Sequence, residues 1–167
     1  MRTLYLIRHA KSGWDDPSLS DHDRPLNDRG RRDAPMMAER MRRAGHPIDV
    51  ILTSTARRAE RTAVAFAQAY GIRDGDLVRT RGLYHAEADD FLRIITGIGD
   101  AYRHAAVFSH NPGITLFAGG LGVATLDHMP TCAIFGVVTE AVSWKDFAAA
   151  RRRFLFFDWP KNPLHLQ

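Results

Sequence analysis

Leu4-Tyr5-Leu6-Ile7-Arg8-His9 is an unbroken apolar run that ends on two polar residues. Four apolar residues without polar alternation read as a strand covered on both faces, as in the mostly parallel sheet of an α/β protein. Such a strand delivers Arg8 and His9 to its C-terminal tip. Arginine offers a planar fork of donors that matches phosphate oxygens and cannot lose its proton, while a neutral imidazole can attack phosphorus at physiological pH. The run therefore predicts both a fold and the place to look for chemistry.

Outward from it, strand-like and helix-like segments alternate. Leu4 to Ile7, Val50 to Thr53, Leu77 to Thr80, Ala105 to Ser109, Ala133 to Thr139 and Phe154 to Phe157 read as strands. Ala34, Met37, Ala38 and Met41 follow helical spacing before Gly45, and Ala59, Ala63, Phe66, Ala67 and Tyr70 do so before Gly71. Phe91, Leu92, Ile95 and Ile98 make a third stripe. Pro35 is expected to kink the first helix or to mark its true start. The pattern predicts a three-layer α/β sandwich, one domain over 1–167, with a mostly parallel central sheet, helices on both faces and ligands beyond the carboxyl ends of the strands. The exits there offer Arg8-His9, Ser54-Thr55-Ala56-Arg57-Arg58, Tyr84-His85 and His110-Asn111-Pro112-Gly113.

The chain has 167 residues, 45% hydrophobic and 25% charged, enough for one continuous core. All but three of its 23 basic residues are arginine, and the net charge is +4. Clusters at Arg29-Gly30-Arg31-Arg32, Arg40 to Arg43 and Arg151-Arg152-Arg153 read as solvated helix faces, because no nucleic-acid motif or stacking aromatic series accompanies them. The single cysteine, Cys132, precludes an intrachain disulfide, and its neighbours Ala133-Ile134-Phe135 place it in a buried strand. With no secretory signal and no run of about 18 apolar residues, a cytoplasmic protein with no membrane and no nucleic-acid partner is expected.

At the second exit, Ser54 or Thr55 is expected to cap a helix whose first turn holds Arg57 and Arg58, a favourable place for an anion. At the fourth, Asn111 and Pro112 read as N-cap and first helical residue. Two chemistries suit the set. His9 could attack a phosphoryl group while arginines and a second histidine stabilise its oxygens, or His9, His85 and His110 could bind a transition metal with a carboxylate. Cations repel a metal, so Arg8 and Arg58 favour the phosphoryl reading.

Leu6-Ile7-Arg8-His9-Ala10-Lys11-Ser12, Asp23-Arg24-Pro25-Leu26-Asn27, Arg29-Gly30, Thr53-Ser54 with Arg58-Ala59-Glu60 and Thr62, and Ser109-His110-Asn111-Pro112 resemble the histidine phosphatase superfamily, with its phosphoglycerate mutase-like fold. They look most like its phosphohistidine phosphatase SixA branch, down to Trp159-Pro160-Lys161-Asn162-Pro163-Leu164. The resemblance implies His9 as a nucleophile that becomes phosphorylated, Arg8, Arg58 and His110 as phosphate ligands, Arg24 and Ser12 as substrate contacts, and no metal or other cofactor. Arg58 takes the role over Arg57 because the family's serine precedes its arginine by four.

The chain departs from the family where mutases and acid phosphatases carry a carboxylic acid. Here Leu83-Tyr84 leads to His85, with Glu87 two further on, so His85 and Glu87 are the candidate proton donors. Lys11 and Asp15 also stand where mutases have other residues. Without the insertions that roof larger members, the pocket is expected to be open to a phosphorylated protein, such as a histidine-phosphotransfer domain, or to a small phosphoester. The expectation is a metal-independent phosphatase of protein phosphohistidine. A small-molecule phosphomonoesterase and a non-catalytic phosphate-recognition protein are the alternatives.

Overall fold

The computed structural model describes residues 1–165. Six strands, β1 (Arg2–Arg8), β2 (Val50–Ser54), β3 (Val78–Thr80), β4 (His104–Ser109), β5 (Ile134–Thr139) and β6 (Arg152–Asp158), form one sheet in the order β3-β2-β4-β1-β5-β6. The first four in that order pair in parallel; β5 is antiparallel to β1, and β6 to β5. Every strand expected from the sequence forms.

Four helices cover the sheet: α1 (Asp28–Arg43), α2 (Arg57–Tyr70), α3 (Ala88–Thr96) and α4 (Gly113–Gly120). Met37, Met41 and Phe66 of α1 and α2 pack with Tyr5, Ile7, Ile51 and Phe108 on one face. Phe91, Ile95, Ile114 and Phe117 of α3 and α4 pack with Leu4, Leu6, Val107 and Phe135 on the other. Successive β1 residues thus feed opposite clusters, as the two-residue pleat requires, and this is why the run has no polar alternation.

The connections open the site. From β1 the chain goes through α1 to β2, and from β4 through α4, on the opposite face, to β5. β1 and β4 lie side by side with continuations that diverge, which leaves a crevice beyond their C-terminal ends. Arg8 is in register with Ser109, and the His9 N–H donates to the Ser109 carbonyl at 3.1 Å.

Several local expectations are corrected. Pro35 neither starts nor ends α1: Asn27 caps the helix by accepting from the Gly30 N–H at 2.9 Å, and the helix continues through Pro35. Pro35 is exposed, so water can reach the Arg31 carbonyl that its missing N–H leaves unpaired. Neither Ser54 nor Thr55 caps α2; Ala56 holds that position without a side-chain bond. Pro112, expected as the first helical residue, is instead the cap of α4, and Asn111 turns its amide to the Met129 carbonyl at 3.2 Å. Cys132 is buried but lies in the turn before β5, with φ of 62°. Among the described residues no helix is long and apolar enough to cross a membrane.

Two glycines let backbone approach backbone next to the crevice. A Cβ at Gly30 would collide with the Lys11 carbonyl oxygen, and one at Gly113 with that of Ala86. Gly30→Ala should therefore push α1 away from the β1 exit, costing about 1–3 kcal/mol as overpacking does. The melting temperature should fall by roughly 2–12 °C for a chain of this size. An unchanged melting curve would contradict the close approach.

Candidate active site

The end of β1 sets the nitrogen chemistry of His9. This residue is buried, and its Nδ1 lies 2.7 Å from the Ala10 carbonyl oxygen. A carbonyl only accepts, so Nδ1 carries the proton and Nε2 keeps its lone pair. Nε2 in turn lies 3.4 Å from Nε of Arg58. Burial is the main force that pushes the His9 pKa down to about 3; the Ala10 bond opposes it, and the charges of Arg58, Arg8 and Arg24 add to it. His9 is thus a neutral imidazole with a defined tautomer among cations.

Those cations come from three elements. Arg8 leaves β1 and donates to the Met129 carbonyl at 2.8 Å. Arg58, in the first turn of α2, is buried, whereas Arg57 is exposed and faces a different groove. Arg24 reaches in from the loop between β1 and α1, whose ends are joined by a bridge between Ser12 and Leu26. It bonds the Ser12 hydroxyl, the Gly13 carbonyl and the face of Trp14, its guanidinium carbon 3.4 Å from the ring centroid.

His110 extends β4 beside His9, the ring centroids 5.2 Å apart. Its Nε2 is 2.7 Å from the Ser54 hydroxyl oxygen, which accepts from the Ala56 N–H. The Ser54 proton is then free to point at His110 Nε2, which leaves Nδ1–H as a donor. Burial, then His9 and Arg58, hold the His110 pKa well below the ordinary histidine range. Among the described residues, two buried side-chain polar atoms lack a hydrogen-bond partner, Arg8 Nε and His110 Nδ1. Both belong to this site, where a ligand with several acceptors would satisfy them.

Arg8, His9, Ser12, Arg24, Arg58, His85 and His110 all line one cleft of about 510 Å³. Glu87 does not; it heads α3 and gives its backbone N–H to Asp90 at 3.0 Å. His85 sits on the cleft wall with φ of 55° and its ring 3.9 Å from that of Tyr84.

Sequence reasoning missed Asp21 and Trp14. The Asp21 carboxylate accepts from Arg58 at 3.0 Å, Arg24 at 2.9 Å and the Tyr84 hydroxyl at 2.7 Å. Partial burial acts to raise its pKa, but these bonds outweigh it and hold the carboxyl well below the usual range. The three-residue spacing from Asp21 to Arg24 was the one available signal. Among the described residues no group of three histidine, cysteine or carboxylate side chains is arranged to hold a metal. The arrangement is a cationic cradle around a neutral nucleophilic nitrogen, with the carboxylate present ionised.

Comparison with known proteins agrees. The family model of the histidine phosphatase superfamily (branch 1) matches residues 4–85. An uncharacterized chloroplastic protein of Arabidopsis thaliana is 39% identical over 90 residues, 53% of this chain and 41% of that one. The chain therefore spans less than half of that relative. An uncharacterized protein of Mycobacterium tuberculosis is 31% identical over 146 residues, covering 87% of this chain and 77% of its own. A solved structure from Nakamurella multipartitia, provisionally assigned as a phosphohistidine phosphatase SixA, superposes with a TM-score of 0.80 at 28% identity over 96% of this chain and 97% of that one.

The depressed pKa predicts that the side-chain nitrogen resonances of His9 hold the neutral, Nδ1-protonated pattern from pH 8 down to pH 5. An ordinary histidine titrates in that window with a midpoint near 6.5. Nitrogen-detected NMR on the protein in phosphate-free buffer checks this, and a midpoint near 6.5 would show that His9 is neither desolvated nor flanked by cations.

Proposed function

We propose that this chain, which belongs to the histidine phosphatase superfamily and falls in its SixA-like branch, is a metal-independent phosphatase that works through a phosphohistidine on His9. One observation carries this reading: a neutral His9 whose Nδ1 holds the proton and whose unprotonated Nε2 accepts only a long 3.4 Å contact from the Arg58 Nε–H. In the first step Nε2 attacks phosphorus in line with the leaving group, a P–N bond forms to His9, and the bond to the leaving group breaks. Arg8 and Arg58 neutralise charge on the equatorial oxygens and His110 donates a hydrogen bond to them, with Arg24 and Ser12 at the rim. In the second step water attacks the same phosphorus, and its proton passes to a base or to the departing phosphate as the P–N bond breaks. His9 regains its lone pair.

Leaving-group protonation points to the substrate. Asp21, ionised by its partners, holds no proton to give, and Glu87 faces elsewhere, which leaves His85. An alkyl phosphate departs as a poor alkoxide unless protonated, whereas a phosphorylated imidazole can arrive protonated and leave as neutral imidazole. Protein phosphohistidine, met in the cytoplasm, is therefore the substrate we favour. The exposure of Trp14 and Lys11 on the cleft lining supports access for a side chain carried on another protein.

The reading is tested by turnover in the presence of a chelator, with a phosphohistidine peptide set against an alkyl phosphate. The peptide should be cleaved far faster; faster cleavage of the alkyl ester would favour a small-molecule phosphomonoesterase instead. Arg58→Ala should lose about 2–4 kcal/mol of transition-state stabilisation, as for one strong oxyanion donor, which is roughly 30- to 1000-fold in kcat/KM. Arg57→Ala should stay near wild type on small substrates, and the reverse order would refute the assignment of Arg58.

His85→Ala should slow alkyl phosphate hydrolysis more than phosphohistidine hydrolysis if His85 supplies the proton. Steady-state rates on both substrates check this, and equal slowing of the two would reassign His85 to binding.

A further inference from the structure

Beside the cleft lies a second groove of about 310 Å³ between α1 and α2. Pro25, Leu26, Ala34, Pro35 and Ala65 give it an apolar floor, and Arg31, Arg57 and Arg61 stand along it. We propose that this groove docks an acidic segment of the phosphoprotein substrate, an inference that rests on the protein-phosphohistidine reading above.

The charge pattern carries the argument. Most arginines on this surface are neutralised locally: Arg29 by Asp33, Arg42 and Arg43 by Glu39, Arg73 by Asp76, and Arg79 by Glu60 and Asp74. Arg57 and Arg61 are exposed, and neither side chain makes a hydrogen bond or ion pair among the described residues. They stand one turn apart on α2, where like charges repel and cost stability. The acid between them, Glu60, is committed to Arg79 at 3.1 Å. Asp23, the carboxylate that senses Arg57, is held by Ser20 and His22.

Arg31 is fixed by Asp28 and by the Leu26 carbonyl, so the groove offers one anchored cation facing two whose side chains form no ion pair. A carboxylate-bearing segment relieves the repulsion and covers the apolar floor in one step. The groove also adjoins the cleft in sequence, since Arg57 precedes Arg58 and Pro25 follows Arg24. A phosphorylated side chain in the cleft therefore brings its own protein surface over these residues. No aromatic side chain lines the groove, which disfavours a single-stranded nucleic acid that would stack its bases.

The test compares two phosphohistidine peptides, one flanked on both sides by glutamates and one by serines, at 0.1 M and 0.5 M salt. Wild type should show a KM about fivefold or more lower for the acidic peptide, with similar kcat, and the preference should fade at the higher salt where the screening length shortens. Arg57→Gln/Arg61→Gln should abolish the preference, and Arg57→Glu/Arg61→Glu should invert it. The glutamine variant should melt no lower than wild type, because it removes a like-charge pair, whereas the glutamate variant exchanges one such pair for another. A preference that survives in both variants, or its absence in wild type, overturns the proposal.

Anisotropy of a labelled, unphosphorylated acidic peptide gives a readout independent of turnover. If wild type cleaves neither peptide yet binds this probe through the two arginines, the docking surface stands and the phosphohistidine reading falls. If a thymidylate oligomer of equal charge binds more tightly through the same arginines, the partner is a nucleic acid and the proposal is wrong.

Discussion

The bond from His9 Nδ1 to the Ala10 carbonyl, 2.7 Å long, is the interaction on which the site depends. It decides which ring nitrogen is free to react. The bond forms because the chain turns at the end of β1, and that turn is pinned from both sides: the His9 N–H donates to Ser109, and its carbonyl accepts from Cys132. The neighbouring strand β4 and the turn before β5 thus fix the backbone of a residue whose side chain must not wander. Without that constraint the imidazole would interchange tautomers, and one of the two presents a protonated nitrogen to phosphorus.

Electrostatics follows from the same geometry. Three arginines converge on a cleft where they add to burial in depressing the basicity of His9, while burial, His9 and Arg58 do the same to His110. Asp21 is the internal anion that offsets this by bonding Arg58 and Arg24 together. A phosphoryl group offers the same donors more acceptor oxygens and more charge than a carboxylate does. The orphaned Nε of Arg8 and Nδ1 of His110 suit an anion with oxygens in more than two directions. The cationic excess of the site continues onto α2 as Arg57 and Arg61.

How far this is legible in sequence depends on periodicity. β1, β2, β4 and β5 can be read from unbroken apolar runs, because both faces of each are covered. α2 ends where Gly71 adopts the left-handed conformation, as its glycine predicts. Cap identities are less legible: Ser54 has the right chemistry to cap α2, but it lies two residues before the Ala56 cap position, and its hydroxyl accepts from the Ala56 N–H and meets His110, a neighbour only in space. Pro35 misleads for a similar reason, since the Asn27 cap and the buried face of α1 carry the helix through it. Asp21 and Trp14 lie in the Ser12 to Asn27 loop, which has no period. Their place depends on the bridge that closes the loop and on Arg24 lying between them.

The most direct test of the account is to stop wild-type enzyme during turnover of a phosphohistidine peptide carrying labelled phosphate and to map the label by mass spectrometry at neutral to alkaline pH, where phosphohistidine survives. The account predicts an acid-labile phosphate on His9 Nε2, absent from His9→Ala. A label on any other residue, or full activity in the alanine variant, would contradict it.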